Sequence, residues 1–223
     1  MNQYSRILTI SLILFCGSLL AGCSVISGLT LITPSEKPII PYFMDNFSDQ
    51  NNGWRLTIQD EGVIQYDGDA IRILIKKPGT ELLSTPNLKI KNSSINVDTQ
   101  VMGGPQNNLF GLVCRYKDPA NYYSFLISSD GYYGIVKTIN GNRIFLGADT
   151  FTPSDLIQKG LKNNQLRADC TGKTLSFFVN WEKLAEVKDI DLSSGDVGII
   201  TGTLSEPGSD VKFDNFIVIN TDN

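Results

Sequence analysis

The runs Leu109-Phe110-Gly111-Leu112-Val113-Cys114-Arg115-Tyr116, Tyr122-Tyr123-Ser124-Phe125-Leu126-Ile127 and Tyr133-Gly134-Ile135-Val136-Lys137-Thr138-Ile139, with Asp130-Gly131 and Asn140-Gly141 at their turns, decide the fold class of this chain. Short apolar runs rich in aromatic and β-branched side chains suit a pleated, half-buried surface. Asp-Gly and Asn-Gly are hairpin signals, because these residues accept the left-handed backbone that two-residue turns need. The same grammar extends outward. Ala70 to Lys76 and Ile95 to Met102 read as strands upstream. Gln165 to Cys170, Thr174 to Val179, Val197 to Thr201 and Val211 to Ile219 read as strands downstream, with Thr171-Gly172-Lys173 as a turn. No apolar pattern holds a 3.6-residue period long enough for a main helix. Pro153 to Lys159 predicts at most one helical turn, capped by Thr152. Many short strands with glycine-rich turns predict an all-β antiparallel sandwich or barrel.

The chain has 223 residues, a formal charge of −4 and no histidine. Ser-His-Asp and Cys-His nucleophile systems, His-ligated zinc and the usual near-neutral general base are thereby excluded. Basic residues are scattered along the chain, with no run longer than Lys76-Lys77. Nucleic acid is therefore not an expected partner.

At the N-terminus an apolar run from Ile7 follows Arg6 and ends in Leu20-Ala21-Gly22-Cys23. A basic start, an apolar centre and small residues before a cut site make a secretory signal. The run to Cys23 is 17 residues, the lower limit for a spanning helix, so an uncleaved anchor is the competing reading. A cysteine directly after the small pair resembles a bacterial lipoprotein lipobox. That resemblance implies cleavage after residue 22, acylation of Cys23, and a mature protein held on a lipid bilayer outside the cytosol. Ser24 then points to the outer membrane if the host has two. Residues 1–22 become the signal peptide and 23–41 a lipidated tether, with Pro34, Pro38 and Pro41 forbidding a helix. Residues 42–223 become the domain. Cys114 and Cys170 remain as an even pair in a compartment that permits a disulfide; two buried free thiols are the alternative.

A second resemblance rests on an ordered set of residues: Phe43-Met44-Asp45-Asn46-Phe47 with Gly53-Trp54, Gly111 to Tyr116, Asn121 to Phe125, Ser129 to Tyr133, Asn164 to Arg167, Val179-Asn180, Gly195 to Gly198 and Phe213-Asp214-Asn215-Phe216. In this order, residues 42–219 resemble concanavalin A-like lectin/glucanase domains. Nearest is the extracytoplasmic group related to the 3-keto-disaccharide hydrolase-like domain of unknown function. The resemblance implies a two-sheet antiparallel jelly roll whose concave face binds glycans. The glucanase members carry Glu-x-Asp-x-x-Glu on one strand. Here Asp189-Ile190-Asp191-Leu192 runs into Ser193-Ser194 with no glutamate, so retaining glycosidase chemistry, which needs two carboxyls about 5 Å apart, is not expected.

Strand parity sorts the side chains. Leu112, Cys114 and Tyr116 share one face of their strand, and Leu166, Ala168 and Cys170 one face of theirs, so both cysteines read as core-facing and Arg115 as outward. A two-residue turn at Asp130-Gly131 puts Tyr123, Phe125, Ile127 and Val136 on the core side. It sets Tyr122, Ser124, Leu126, Tyr133, Ile135 and Lys137 on the other. Arg115, Tyr122, Ser124, Tyr133 and Lys137 are thus candidate ligand residues, since aromatic faces stack on sugar C–H patches while Arg, Lys and Ser bond hydroxyls. Plain sheet cover is the alternative. Trp181 either stacks on a ligand or partner or tucks back on its own hairpin. Asp45, Asp49 and Asp214 are candidate ligands for a structural Ca²⁺ at the seam of the terminal strands; ordinary turn and strand-edge aspartates are the alternative, and no other cofactor is expected. The first functional reading is a non-catalytic, membrane-anchored module for polysaccharide or an envelope protein. A carbohydrate-active hydrolase or lyase and a structural or adhesion domain are the other two.

Overall fold

A computed structural model describes residues 40–222. The expected signal peptide 1–22, Cys23 and the tether as far as residue 39 lie outside the described residues. The strands are β1 (Phe43–Asp45), β2 (Thr57–Gln59), β3 (Gly62–Tyr66), β4 (Ile71–Ile75), β5 (Glu81–Ser84), β6 (Ser93–Gly103), β7 (Leu109–Asp118), β8 (Asn121–Ile127), β9 (Tyr132–Ile139), β10 (Asn142–Leu146), β11 (Thr152–Pro153), β12 (Asn163–Thr171), β13 (Thr174–Val179), β14 (Glu182–Lys188), β15 (Asp196–Gly202) and β16 (Asp210–Asn220).

They form two antiparallel sheets. One runs β14-β13-β12-β6-β16-β4-β3-β2, with β1 beside the end of β16. The other runs β10-β9-β8-β7-β15-β5, with β11 against β9. The chain is the all-β two-sheet jelly-roll sandwich that its sequence predicts. The single helical turn expected over Pro153 to Lys159 does not form: Thr152 and Pro153 pair with Tyr133 and Tyr132, and Ile157 is buried in the core.

Alternation builds the interior. Ile71, Ile73 and Ile75 are fully buried while Arg72 and Leu74 face outward. The main core lies between the sheets and includes Phe47, Trp54, Phe125, Phe177, Phe213 and Phe216. Phe213 and Phe216 are three apart, yet both point inward. A bulge between Asp214 and Ile217, with Asn215 at φ 52°, inserts the residue that makes this possible. The disulfide Cys114–Cys170 joins β7 to β12 and so staples one sheet to the other (S–S 2.01 Å, Cα–Cα 6.8 Å).

A second apolar cluster covers the outer face of the smaller sheet: Leu109, Val113, Tyr116, Tyr122, Leu126, Val136 and Ile200, flanked by Leu83, Phe145 and Phe151. Over it, Arg143 on β10 bonds Glu81 on β5. These strands are opposite edges of the sheet, five strand spacings apart, or about 24 Å if it were flat. Two side chains cannot bridge that distance unless the sheet curls. The outer face of the smaller sheet is therefore concave.

Candidate functional site

Two local features decide which residues line that concave face. The hairpin between β8 and β9 closes with a three-residue loop. Ser128 N donates to Tyr132 O, Gly131 takes φ 96°, and Ile127 stands opposite Tyr133. A type I turn followed by a left-handed glycine makes this loop, and it carries one residue more than the Asp-Gly signal predicts. One residue of slip turns every side chain of a strand to the other face. Tyr133, Ile135 and Lys137 consequently share the inner face with Tyr123, Phe125 and Ile127, and Val136 joins the concave side.

The second feature is a bulge in β7 after Cys114, where Arg115 takes φ 51°. The expected outward Arg115 is instead buried at 2 % exposure. Its guanidinium donates to Leu192 O and Gly172 O (2.8 Å each) and closes one end of the sandwich. Tyr116 moves to the concave side. Lys137, opposite Tyr123 on the inner face, is bonded to Asp189 (2.5 Å) and Asp191 (2.6 Å), and Tyr123 Oη donates to Asp189. Burial pushes the Tyr123 phenol up to about 12, helped by its bond to Asp189. Burial pushes Asp189 up, yet the bonds from Lys137 and Tyr123 outweigh it and leave the carboxyl below its ordinary value. Arg115, Tyr133 and Lys137 therefore do not line the concave face. Of the expected ligand residues on the sheets, Tyr122 and Ser124 alone face the concave side. Both are buried there, beneath the Glu81–Arg143 bridge.

The expected calcium ligands do not converge. The terminal strands do pair, with Asp45 opposite Phe216. Asp45 points inward, where its two oxygens accept Phe47 N and Trp54 Nε1 (2.7 Å each). Asp49 caps a turn through Asn51. Asp214 lies on the opposite, outer face of its sheet. Among the described residues no group of three acidic side chains is poised to hold a metal.

An open site lies on that outer face instead. A cleft of about 480 Å³ has Asp98 and Asp214 at its floor, directly opposite each other on β6 and β16. Asn215 Nδ2 sits over both, 3.0 Å from Asp98 Oδ2 and 3.4 Å from Asp214 Oδ2. Asp69, Gln100, Asn163, Gln165, Asn180 and Lys212 make the walls. Burial raises the Asp214 carboxyl, and the charges of Asp69 and Asp98 add to the rise, against the bond from Asn215 N.

One wall is unusually well fixed. Asn180 donates through Nδ2 to Leu156 O and Asn164 Oδ1 (2.9 Å each) and exchanges bonds with the backbone of Gln165. The next residue is Trp181. It is 77 % exposed and holds φ 74°, a left-handed backbone that a bulky side chain rarely adopts. Trp181 therefore does not tuck back on its hairpin. A two-residue turn anchored by four bonds displays it beside the cleft. The sequence offers Trp181 and Asp214 as candidates, and Asp98 only as one of three scattered acids with Asp130 and Asp169; it does not single out the Asn163 and Gln165 that line the cleft with Asp98 and Asp214. The amide run Asn163-Asn164-Gln165 beside Asn180-Trp181 was the available signal.

No family model and no curated protein matches the chain. Solved structures do. The carbohydrate-binding module CBM66 from Bacillus subtilis superposes with a TM-score of 0.60 at 17 % identity, over 75 % of this chain and 96 % of the module. The likeness is one of fold. A Bacillus subtilis protein of unknown function with a galectin-like fold gives 0.59 at 12 % identity, over 82 % of this chain and 97 % of that one. The GH43 protein BlXynB from Bacillus licheniformis gives 0.60 at 15 % identity, over 79 % of this chain but 39 % of that protein.

Proposed function

We propose that this chain is a non-catalytic glycan-binding module. Polysaccharide docks in the Asp98/Asp214 cleft against Trp181, and the domain is held outside the cytosol by lipid on Cys23. The observation that carries the reading is Trp181: an exposed indole that directly follows Asn180, a hydrogen-bonded wall residue of a cleft rich in amides and carboxylates. An indole face stacks on sugar C–H patches, and Asn, Gln and Asp together both donate to and accept from hydroxyls. Fixing the turn that carries the aromatic beforehand removes part of the ordering cost of binding. A residue kept in a costly backbone state and left in solvent also suggests selection for something other than stability. The jelly-roll fold shared with a carbohydrate-binding module supports the same ligand class.

The test is a glycan-array and cell-wall-polysaccharide screen on residues 38–223, with and without calcium. A saturable hit lost in Trp181→Ala and in Asp98→Ala is expected, with no calcium requirement. No hit, or a hit that neither substitution weakens, refutes the reading and moves the assignment to an envelope protein partner. For the anchor, Cys23→Ala in the full chain is expected to abolish acylation, read by mass spectrometry, and to release the protein from membranes.

The Asp98–Asp214 pair favours a second reading, glycoside hydrolysis. Two opposed carboxyls with one raised are the ingredients of a general acid and its partner. Measurable glycan cleavage lost in both Asp98→Asn and Asp214→Asn would make this an enzyme.

A further inference from the structure

The fold gathers what the sequence scatters. Among the described residues, eight exposed lysines and arginines have no acidic partner within salt-bridge distance. Six of them, Arg55, Lys89, Lys91, Lys117, Lys173 and Lys188, sit at one end of the sandwich, where β6 begins, β7 and β14 finish and β12 turns into β13. Lys76 and Lys162 are the two elsewhere. Arg55, Lys89, Lys91 and Lys117 surround a cleft of about 630 Å³ beside Tyr116.

The acids at this end are already engaged. Asp196 is buried and accepts Leu88 N and Val197 N. Asp222 accepts Asn92, Asp118 accepts Ala120 N and Asn121, and Asp189 and Asp191 share Lys137. This is also the end at which the chain joins the domain. Tyr42 N donates to Val218 O (2.8 Å), next to the Asn220 and Asp222 that edge the cleft. Ile40 and Tyr42, just outside β1, are exposed at 80 % and 50 %.

We propose that this basic end docks on an anionic bilayer surface, with the lysines over headgroup phosphates and Tyr42 and Ile40 at headgroup depth. Unpaired like charges repel one another, and a negative surface turns that cost into attraction. The attraction fades within a Debye length of about 8–10 Å, so charges act only when held close to the surface. A chain that enters the domain at this end is what would hold them there. The polysaccharide cleft lies toward the start of β12, at the other end of that strand, and stays open while the basic end is occupied. The docking complements the lipid anchor proposed above without requiring it, so its test omits Cys23.

Residues 38–223, which contain both cores and the disulfide, are mixed with phosphatidylcholine vesicles with and without phosphatidylglycerol and sedimented. Binding is expected with phosphatidylglycerol alone, weakened by salt and not displaced by inorganic phosphate. The triple variant Lys89→Gln/Lys91→Gln/Lys117→Gln is expected to bind about 100-fold more weakly, from roughly fivefold per lysine near an anionic surface. Lys76→Gln/Lys162→Gln and Trp181→Ala should bind as the parent does, which separates this end from the glycan cleft. Absence of phosphatidylglycerol-dependent binding overturns the proposal, as does equal loss in the Lys76/Lys162 variant. So does tighter binding to heparin than to the vesicles, which would assign this end to an anionic polysaccharide.

Discussion

Cutting the Cys114–Cys170 bond should cost this domain a large share of its stability. The bond spans a sequence separation of 56 residues. In the chain-entropy account, closing a loop of that length removes about 14 cal/mol/K from the unfolded chain, or about 4 kcal/mol at 25 °C. Both cysteines are fully buried, and no other covalent link ties β7 to β12 among the described residues. Urea titration of residues 38–223, oxidised and after reduction with dithiothreitol, measures the difference without changing a side chain. The midpoint should fall by the equivalent of about 4 kcal/mol, with a melting temperature lower by about 8–16 °C for a domain of this size. Cys114→Ala/Cys170→Ala should agree with the reduced protein to within the small cavity left by the sulfurs. Two titratable thiols in freshly purified native protein, or a loss under about 1 kcal/mol on reduction, would refute the argument.

Three further outcomes follow from the described contacts. Tyr123 is held protonated, so its contribution is complete below pH 10 and is lost as pH rises through about 12; the parent's urea midpoint should fall across that window and Tyr123→Phe should flatten the fall. Lys137→Met strands Asp189 in a nearly buried site and should cost about 3 kcal/mol in the same assay. Asp98→Asn removes a neighbouring negative charge from Asp214, whose carboxyl pKa, read by carbon-13 NMR, should fall toward the ordinary aspartate value.

Much of the fold is legible in the chain because alternation and turn chemistry are local. Asn140-Gly141 forms the two-residue turn it signals, with φ of 50° and 77°, and sets Ile139 opposite Asn142. Phe213-Asp214-Asn215-Phe216 breaks the period of two at the place where the strand bulges. The expected groove misleads for an equally local reason. Ser129-Asp130-Gly131 carries the same Asp-Gly signal but closes around three residues, because Ser128 supplies both its backbone and its hydroxyl to Tyr132. That difference relocates Tyr133 and Lys137. Nothing in the residues around Arg115 marks the bulge that sends it inward. Its partners, Gly172 and Leu192, are 57 and 77 positions away. The Asp98/Asp214 cleft was out of reach for a related reason: it depends on β6, β12 and β16 lying side by side, a pairing that no local pattern specifies.

The way β1 meets β16 bears on how the domain responds to force. The chain leaves β1 toward the basic end, antiparallel to β16, while the proposed polysaccharide site lies toward the opposite end. A pull between anchor and ligand would run along the strands. Phe43–Val218, Met44–Ile217 and Asp45–Phe216 would then resist together, in shear, rather than unzip one pair at a time. Asp45, tied to Trp54 and Phe47, acts as a stop against sliding. If that stop fails, the ring contacts of Phe43 with Trp54 and Phe216 open to water before either main sheet is disturbed. Under tension the first part expected to yield is the three-residue ribbon of β1 on β16, leaving the Asp98/Asp214 cleft its shape.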